Sequence, residues 1–290
     1  MSLAVIRIYW RSLFAWAILG ALPFALLNAF CLHRIANVDS MLIYNYDVLD
    51  PSFLRTRYVL WMTALVFLEA PLALLGVTFF LGQSVFFGSP KLADFRAAFK
   101  QSFGGLLWVL GIFRLGALAW LAPLSLTSES QVDLFLEGFL YGFILVGSNA
   151  IIRAVRPFAP EMLILERSPL RSNGIKDDER GMVYGKRSVW LHSPVSGELF
   201  RRSIASSIVS FFLLGSLSFG WLFLTSIFFS VSTWDWWMDL LLFPLTLWIV
   251  AVFATVIRFL SYLDTRTRLE GWELVLRLKA EGQRVNEAME

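Results

Sequence analysis

The chain has 290 residues, 57% of them hydrophobic and only 16% charged, with a formal net charge of +3; soluble domains carry roughly 25% charged residues. That composition excludes a water-soluble globule, and six long spans with their connections leave no room for a separate soluble catalytic domain. The cations alternate along the chain by a membrane rule instead of forming one basic patch, which excludes nucleic-acid binding.

The apolar runs are continuous and not alternating, so they predict helices and not barrel strands. Each approaches the about 20 residues that cross a hydrocarbon core. The expected fold is all-α: a single integral membrane domain over 1–290, a polytopic bundle of six transmembrane helices with short interfacial amphipathic helices.

The first span covers 13–32. Arg7 and Arg11 precede it as in a signal peptide, but no small-residue cleavage site follows, so the helix reads as retained. Val5 to Trp10 before it reads as a surface segment. The second span covers 59–87 and contains Glu69 two residues before Pro71. Between Lys91 and Phe103, Leu92, Phe95, Ala98, Phe99 and Phe103 share one face, which predicts a helix lying in the interface. The third span, 106–126, contains Arg114. In the fourth, 134–152, Gly138 and Gly142 have the spacing of a helix-packing motif.

A polar segment, 153–203, follows. Pro160 suits a first helical position and Glu161 a first turn, where the helix dipole favours an acid, so a short surface helix is expected there. Residues 172–181 lack an apolar period and read as a mobile loop whose Asp177, Asp178 and Glu179 are solvated. The fifth span, 204–229, has small residues at Ser206/Ser210 and Ser216/Gly220 spacing. The sixth, 238–260, follows Trp234, Trp236 and Trp237 at the expected outer interface. Pro23, Pro71 and Pro244 fall inside spans and should bend them. In the tail, 261–290, the pairs Asp264/Arg268, Arg266/Glu270 and Glu273/Arg277 are four residues apart, as helical ion pairs require.

Of the 25 Lys and Arg residues, all but Arg34, Arg55, Arg57 and Arg114 fall in the N-terminal tail, 88–105, 153–203 and the segment from Arg258 onward. The other connections carry acids: Asp39, Asp47, Asp50, Glu129, Asp133 and Asp235. The positive-inside rule therefore places both termini in the cytoplasm. Cys31 is the single cysteine, so no intrachain disulfide forms, and the two histidines, His33 and His192, lie on opposite sides of the membrane and make no metal cluster. No cofactor is implied.

Two ionisable residues at membrane depth form the candidate intramembrane pair: Glu69 and Arg114. A charge at the bilayer centre costs at least about 2.5 kcal/mol, and pairing relieves it. The alternatives are a structural bridge, a protonated Glu69 held by hydrogen bonds, or an ion or headgroup path. Arg156, Glu161, Glu166, Arg167, Asp264, Arg266, Arg268 and Glu270 are the candidate docking residues of the cytoplasmic face, and the tail is expected to pack against Glu161 and Glu166.

The segment Arg156-Pro-x-x-x-Glu161-x-x-x-Leu165-Glu166-Arg167-x-Pro169 and the tail Tyr262-Leu-Asp264-x-Arg266-x-Arg268-x-Glu270-Gly271-Trp272-Glu273 resemble a group of bacterial inner-membrane proteins similar to the membrane domain attached to some glycerophosphoryl diester phosphodiesterases. The motifs cover about a tenth of the chain. The resemblance implies a bacterial inner-membrane location and a non-catalytic module, since in those enzymes the phosphodiester chemistry belongs to a separate soluble barrel.

Three functions are compatible with these residues. The leading one is a non-catalytic scaffold or accessory subunit of a membrane-associated complex, docking a protein partner or anionic lipid headgroups at its basic cytoplasmic face. The second is a transporter or lipid-handling permease working through Glu69 and Arg114. The weakest is an intramembrane enzyme: Tyr262, Asp264 and Arg266 could bind phosphate, but no nucleophile and base pair stands out.

Overall fold

The computed structural model describes residues 2–36, 51–86, 90–116, 119, 138–171, 183–229 and 237–270. Among them the regular structure is helical throughout. Helix α1, Ser2–Ala36, contains Pro23 and is kinked at Tyr9, where φ is −108° and ψ is 16°. Helices α2, Pro51–Ala73, and α3, Leu75–Phe86, follow. Helix α4, Leu92–Leu106, continues into a wide π-helical run, Leu107–Phe113. A second π-helical run, Gly138–Gly147, leads into α5, Ser148–Val155, and then the single-turn α6, Ala159–Ile164. Helix α7, Tyr184–His192, is joined by the tight turn Ser193–Val195 to α8, Ser196–Phe229. The π-helical Met238–Leu242 opens α9, Phe243–Leu269.

Among the described residues, three helical runs are long and apolar enough to cross a membrane: Val5–Leu32, Tyr184–Phe228 and Met238–Leu269. The pair Thr56–Ala73 and Leu75–Val85, bent by 41°, makes a fourth if it is one span. The run through α7 and α8 has 45 residues, far more than the about 20 that a bilayer needs, so part of it projects beyond the apolar layer. Helix α8 exposes Ile208, Phe211, Phe212, Phe219, Phe223 and Phe228, the rings being 65–73% exposed. An apolar face of that size is stable against lipid and not against water. The chain is an integral membrane protein with several spans.

Of the six spans expected, the third and fourth fall partly on residues outside those described. In the described part of the expected third span, residues 106–116 and 119, the helix runs to Phe113. There the chain turns: Arg114 N–H bonds to Val109 O, Leu115 takes the left-handed φ of 58°, and Gly116 N–H bonds to Leu110 O at 3.0 Å. The expected interfacial helix at 91–103 does not end before this segment but runs into it. Of the expected fourth span, Ile144–Val155 is a shorter apolar helix. The tryptophans Trp234 and Trp236, the loop at 172–181 and the Glu273/Arg277 pair lie outside the described residues.

The bend in the second span has a definite cause and a definite repair. Pro71 lacks an N–H, so the carbonyl of Phe67 four residues earlier loses its helical donor. Arg153 on α5 supplies donors instead: its Nη1 bonds to Phe67 O and its Nη2 to Leu68 O at 2.8 Å, with the guanidinium 4.3 Å from the Phe67 ring centre. Beyond the bend, α1 comes in close at Gly20, where a Cβ would stand 2.0 Å from Ala73 O. Only glycine permits that approach.

Leu13, Met62, Leu65, Leu74, Phe259 and Tyr262 belong to the main core, which joins α1, α2, α3 and α9. A second cluster, including Leu75, Phe79, Ala98, Leu110, Leu163 and Ile164, fills the space between α3, α4 and α6. Helix α6 is not the surface helix that its prolines and acid suggest. It is buried along its whole length, because the charge of Glu161 is met inside the protein and its Met162, Leu163 and Ile164 complete both clusters.

Because Arg153 replaces the donor that Pro71 lacks, the two positions should be coupled. Arg153→Gln is expected to destabilise the protein by about 1–3 kcal/mol by leaving carbonyls unsatisfied. In a Pro71→Ala background, where the restored backbone N–H can serve the Phe67 carbonyl, the same change should cost less. Thermal unfolding of the unmodified chain, the two single variants and the double variant in detergent measures the difference.

Candidate functional site

Helix α9 and its C-terminal cap carry their polar residues in two stripes. Arg258, Tyr262, Arg266 and Glu270 recur every four residues and so share one face, which meets α6 and α7. Asp264 and Arg268 lie on another, which meets α8. Helical spacing thereby sorts one short sequence into two sets of long-range contacts.

On the first face, Arg258 Nε donates to Glu161 Oε1 at 2.8 Å, and its Nη2 reaches Thr78 Oγ1 on α3 at 3.3 Å. Next, Glu166, just beyond α6, accepts two bonds from Arg187 on α7, Nε at 2.7 Å and Nη2 at 3.0 Å, and one from Tyr262 OH at 2.6 Å. Arg266 stands 3.7 Å from the same carboxylate. Glu270 closes the set, accepting from Arg266 Nε at 2.6 Å and from Arg187 Nη2. Arg187 also stacks 5.0 Å from the Trp190 ring centre.

On the second face, Arg202 of α8 donates to Asp264 at 2.6 Å and to its own neighbour Glu198. Arg268 Nε bonds Asp264 at 3.1 Å, and its Nη1 bonds Glu198 at 3.3 Å. These partners are half-exposed or exposed, so each pair contributes little alone. Higher on the same two helices, Trp221 Nε1 donates to Thr246 Oγ1 at 3.0 Å.

His192, which is not among the candidates, sits under this network. Its ring stacks on Phe158 with centres 5.1 Å apart. Nε2 faces the Phe158 N–H and accepts from it, so Nδ1 is the protonated nitrogen and donates to Ser188 O at 2.7 Å.

Glu69 and Arg114 are both buried, and among the described residues no ion pair joins them. Glu69 Oε2 accepts from Asn28 Nδ2 of α1 at 2.8 Å. Arg114 Nη2 instead donates to Arg156 O, while Arg114 O accepts from Asn149 Nδ2. Thus Arg156 enters through its carbonyl, whereas Arg167, in the left-handed conformation with φ 52°, sends Nη1 to Gln101 Oε1 at 3.0 Å. Glu161, Glu166, Asp264, Arg266, Arg268 and Glu270 all join the polar network.

Its further members, Arg187, Glu198, Arg202 and Arg258, are not among the candidates either. Glu198 and Arg202 have the i,i+4 spacing that could have marked them. For Arg187 no local signal exists, since its partners come from α9 and the turn after α6.

Beside the network lies a cavity of about 430 Å³ between α2, α8 and α9. One end is walled by Arg114, Arg153, Arg202 and Arg258, the rest by apolar side chains and a row of serines. No protein family, curated protein or solved structure matched the chain in comparison.

Burial pushes the Glu166 carboxyl up, but hydrogen bonds from Arg187 and Tyr262 and the charges of Arg187 and Arg266 outweigh it and hold the group below its ordinary value of 4.5. The unfolded chain therefore takes up this proton at higher pH than the folded one. The stability that Glu166 contributes is fully present above about pH 4.5 and is lost as pH falls through the depressed folded value. Glu166→Gln should lower the unfolding midpoint at pH 7 and flatten its decline below pH 4.5; equal acid limbs in the two proteins would exclude this linkage.

Proposed function

We propose that the chain is a non-catalytic multipass protein of a bacterial inner membrane, acting as scaffold or accessory subunit of a membrane-associated complex. The proposed topology has six spans and both termini in the cytoplasm, as the distribution of Lys and Arg suggests. The network of α6, α7, α8 and α9 then lies on the cytoplasmic side.

The observation that carries this reading is how the polar residues are used. Glu161, Glu166, Glu198 and Asp264 with Arg187, Arg202, Arg258 and Arg266 lock four helices into one charged platform. A surface fixed in advance binds a partner without the entropy cost of ordering mobile side chains. At its edge Arg268 keeps 55% of its side chain exposed and Asp264 39%, so charge remains for a partner to meet. The two segments that resemble the phosphodiesterase-linked membrane domain supply Glu161, Glu166, Tyr262, Asp264, Arg266, Arg268 and Glu270, so the resemblance falls on the platform itself.

Native co-purification in a mild detergent, read by mass spectrometry, tests the proposal. A stoichiometric protein partner is expected with the unmodified chain. Arg266→Glu with Arg268→Glu should both lower the unfolding midpoint and reduce recovery of that partner several-fold. A chain that purifies with no stoichiometric protein, or a partner retained in full by the double variant, would refute it.

A further inference from the structure

The cavity between α2, α8 and α9 is built unlike the platform beside it, because its charges do not balance. Arg258 is answered by Glu161, and Arg202 by Glu198 and Asp264. Arg114 and Arg153 make no ion pair among the described residues. The side chains of both are held by main-chain carbonyls, Arg114 by Arg156 O and Arg153 by Phe67 O and Leu68 O. The Nε of each is buried with no hydrogen-bond partner among the described residues, and Arg114 as a whole is 3% exposed. A guanidinium cannot shed its proton to relieve such a position. Several cations on one wall, two of them without a bonded carboxylate among the described residues, therefore call for an anion, and their planar donor forks match the oxygens of a phosphate.

The rest of the wall states what kind of molecule carries that anion. On α8, Ser203, Ser206, Ser207 and Ser210 recur at i, i+3, i+4 and i+7, so their hydroxyls fall in a row along the cavity. Past them the lining turns apolar, through Phe211, Leu214, Leu247 and Ala251. Phe211 is 73% exposed and stands beside Ile208 and Phe212 on the outer face of α8, so the apolar end opens onto the surface that meets acyl chains. A soluble anion would gain nothing from that half of the cavity. At about 430 Å³, the space is within the roughly 300–1,000 Å³ of small-molecule sites.

We propose that this cavity binds an anionic phospholipid, with its phosphate among Arg114, Arg153 and Arg258 and one acyl chain leaving past Leu214 and Phe211. Lipid in this position links the Pro71 bend of α2 to α8 and α9 through its headgroup. Arg202 and Arg258 belong to both the platform and this wall, but Arg266 and Arg268, the residues changed in the partner test, lie outside the wall.

The test uses the full chain, delipidated in detergent and titrated separately with phosphatidylglycerol, phosphatidylcholine and inorganic phosphate, followed by unfolding midpoint and by native mass spectrometry. Phosphatidylglycerol should raise the midpoint and leave a one-to-one adduct, phosphatidylcholine should do so less, and inorganic phosphate should have no effect. Arg114→Gln should weaken phosphatidylglycerol binding about tenfold or more, the loss expected for a charge-assisted hydrogen bond. Should that variant fail to fold, Ala251→Trp decides the matter: it fills the apolar end, leaves every cation in place, and should abolish the adduct. Equal response to the two lipids, or an undiminished adduct in Ala251→Trp, overturns the proposal. An equal response to inorganic phosphate overturns the lipid half of it and makes the ligand a free phosphate. Partner recovery is not read in this experiment, so its result stands apart from that of the scaffold test.

Discussion

The structure at the polar end of the bundle depends on one buried ion pair, Glu161 with Arg258. Helix α6 is a single turn, too short to be stable by its own hydrogen bonds, yet all six of its residues are buried. A carboxylate in that position is tolerable only with its charge met by a partner, and here it is met through Oε1, Oε2 having no hydrogen-bond partner among the described residues. Arg258 meets it at 2.8 Å and simultaneously reaches Thr78, so α3, α6 and α9 are referred to a common point. Such a pair is not a large net source of stability compared with apolar packing, but losing one partner costs about 3–5 kcal/mol because the other stays buried and unpaired. Its effect is to fix the rotation of α9.

Once that rotation is set, the four-residue recurrence of Tyr262, Arg266 and Glu270 follows toward α6 and α7, and Asp264 with Arg268 is turned toward α8. Phe158 packs beneath, stacked on His192 and edge-on to Tyr262 with ring centres 5.6 Å apart. Charges in this network are mutually answered. Arg153 and Arg114 serve a different purpose: they satisfy carbonyls that Pro71 and the turn after α5 leave open. The excess of positive charge at the cavity follows from meeting main-chain acceptors with guanidinium groups.

The features legible in the sequence are those set by local spacing. Apolar length marks α1, α8 and α9, and the i,i+4 rule marks Asp264 with Arg268 and Arg266 with Glu270, found at 3.1 and 2.6 Å. Pro71 marks a bend. What spacing cannot convey is which distant group answers a local need. Asn28 bonds Glu69 across 41 positions, and the acceptor of Arg153 is a carbonyl 86 positions away. Main-chain acceptors have no sequence signature at all. The turn at Arg114 hides for a related reason: Leu115 takes a left-handed conformation in a run whose composition reads as continuous helix. Burial of α6 is illegible because Glu161 by itself points to water, and the arginine that neutralises it lies 97 positions further on.

The most direct measurement is hydrogen–deuterium exchange of the segment 159–164 in the full chain, in unmodified protein, in Arg258→Leu and in Glu161→Leu with Arg258→Leu. If the pair anchors this end of the bundle, α6 is protected in the unmodified protein. Arg258→Leu should lose that protection in α6 and in 258–269 together, and removal of both charges should restore much of it. Rapid exchange of α6 in the unmodified protein, or protection unchanged by Arg258→Leu, would show that the pair is not the anchor.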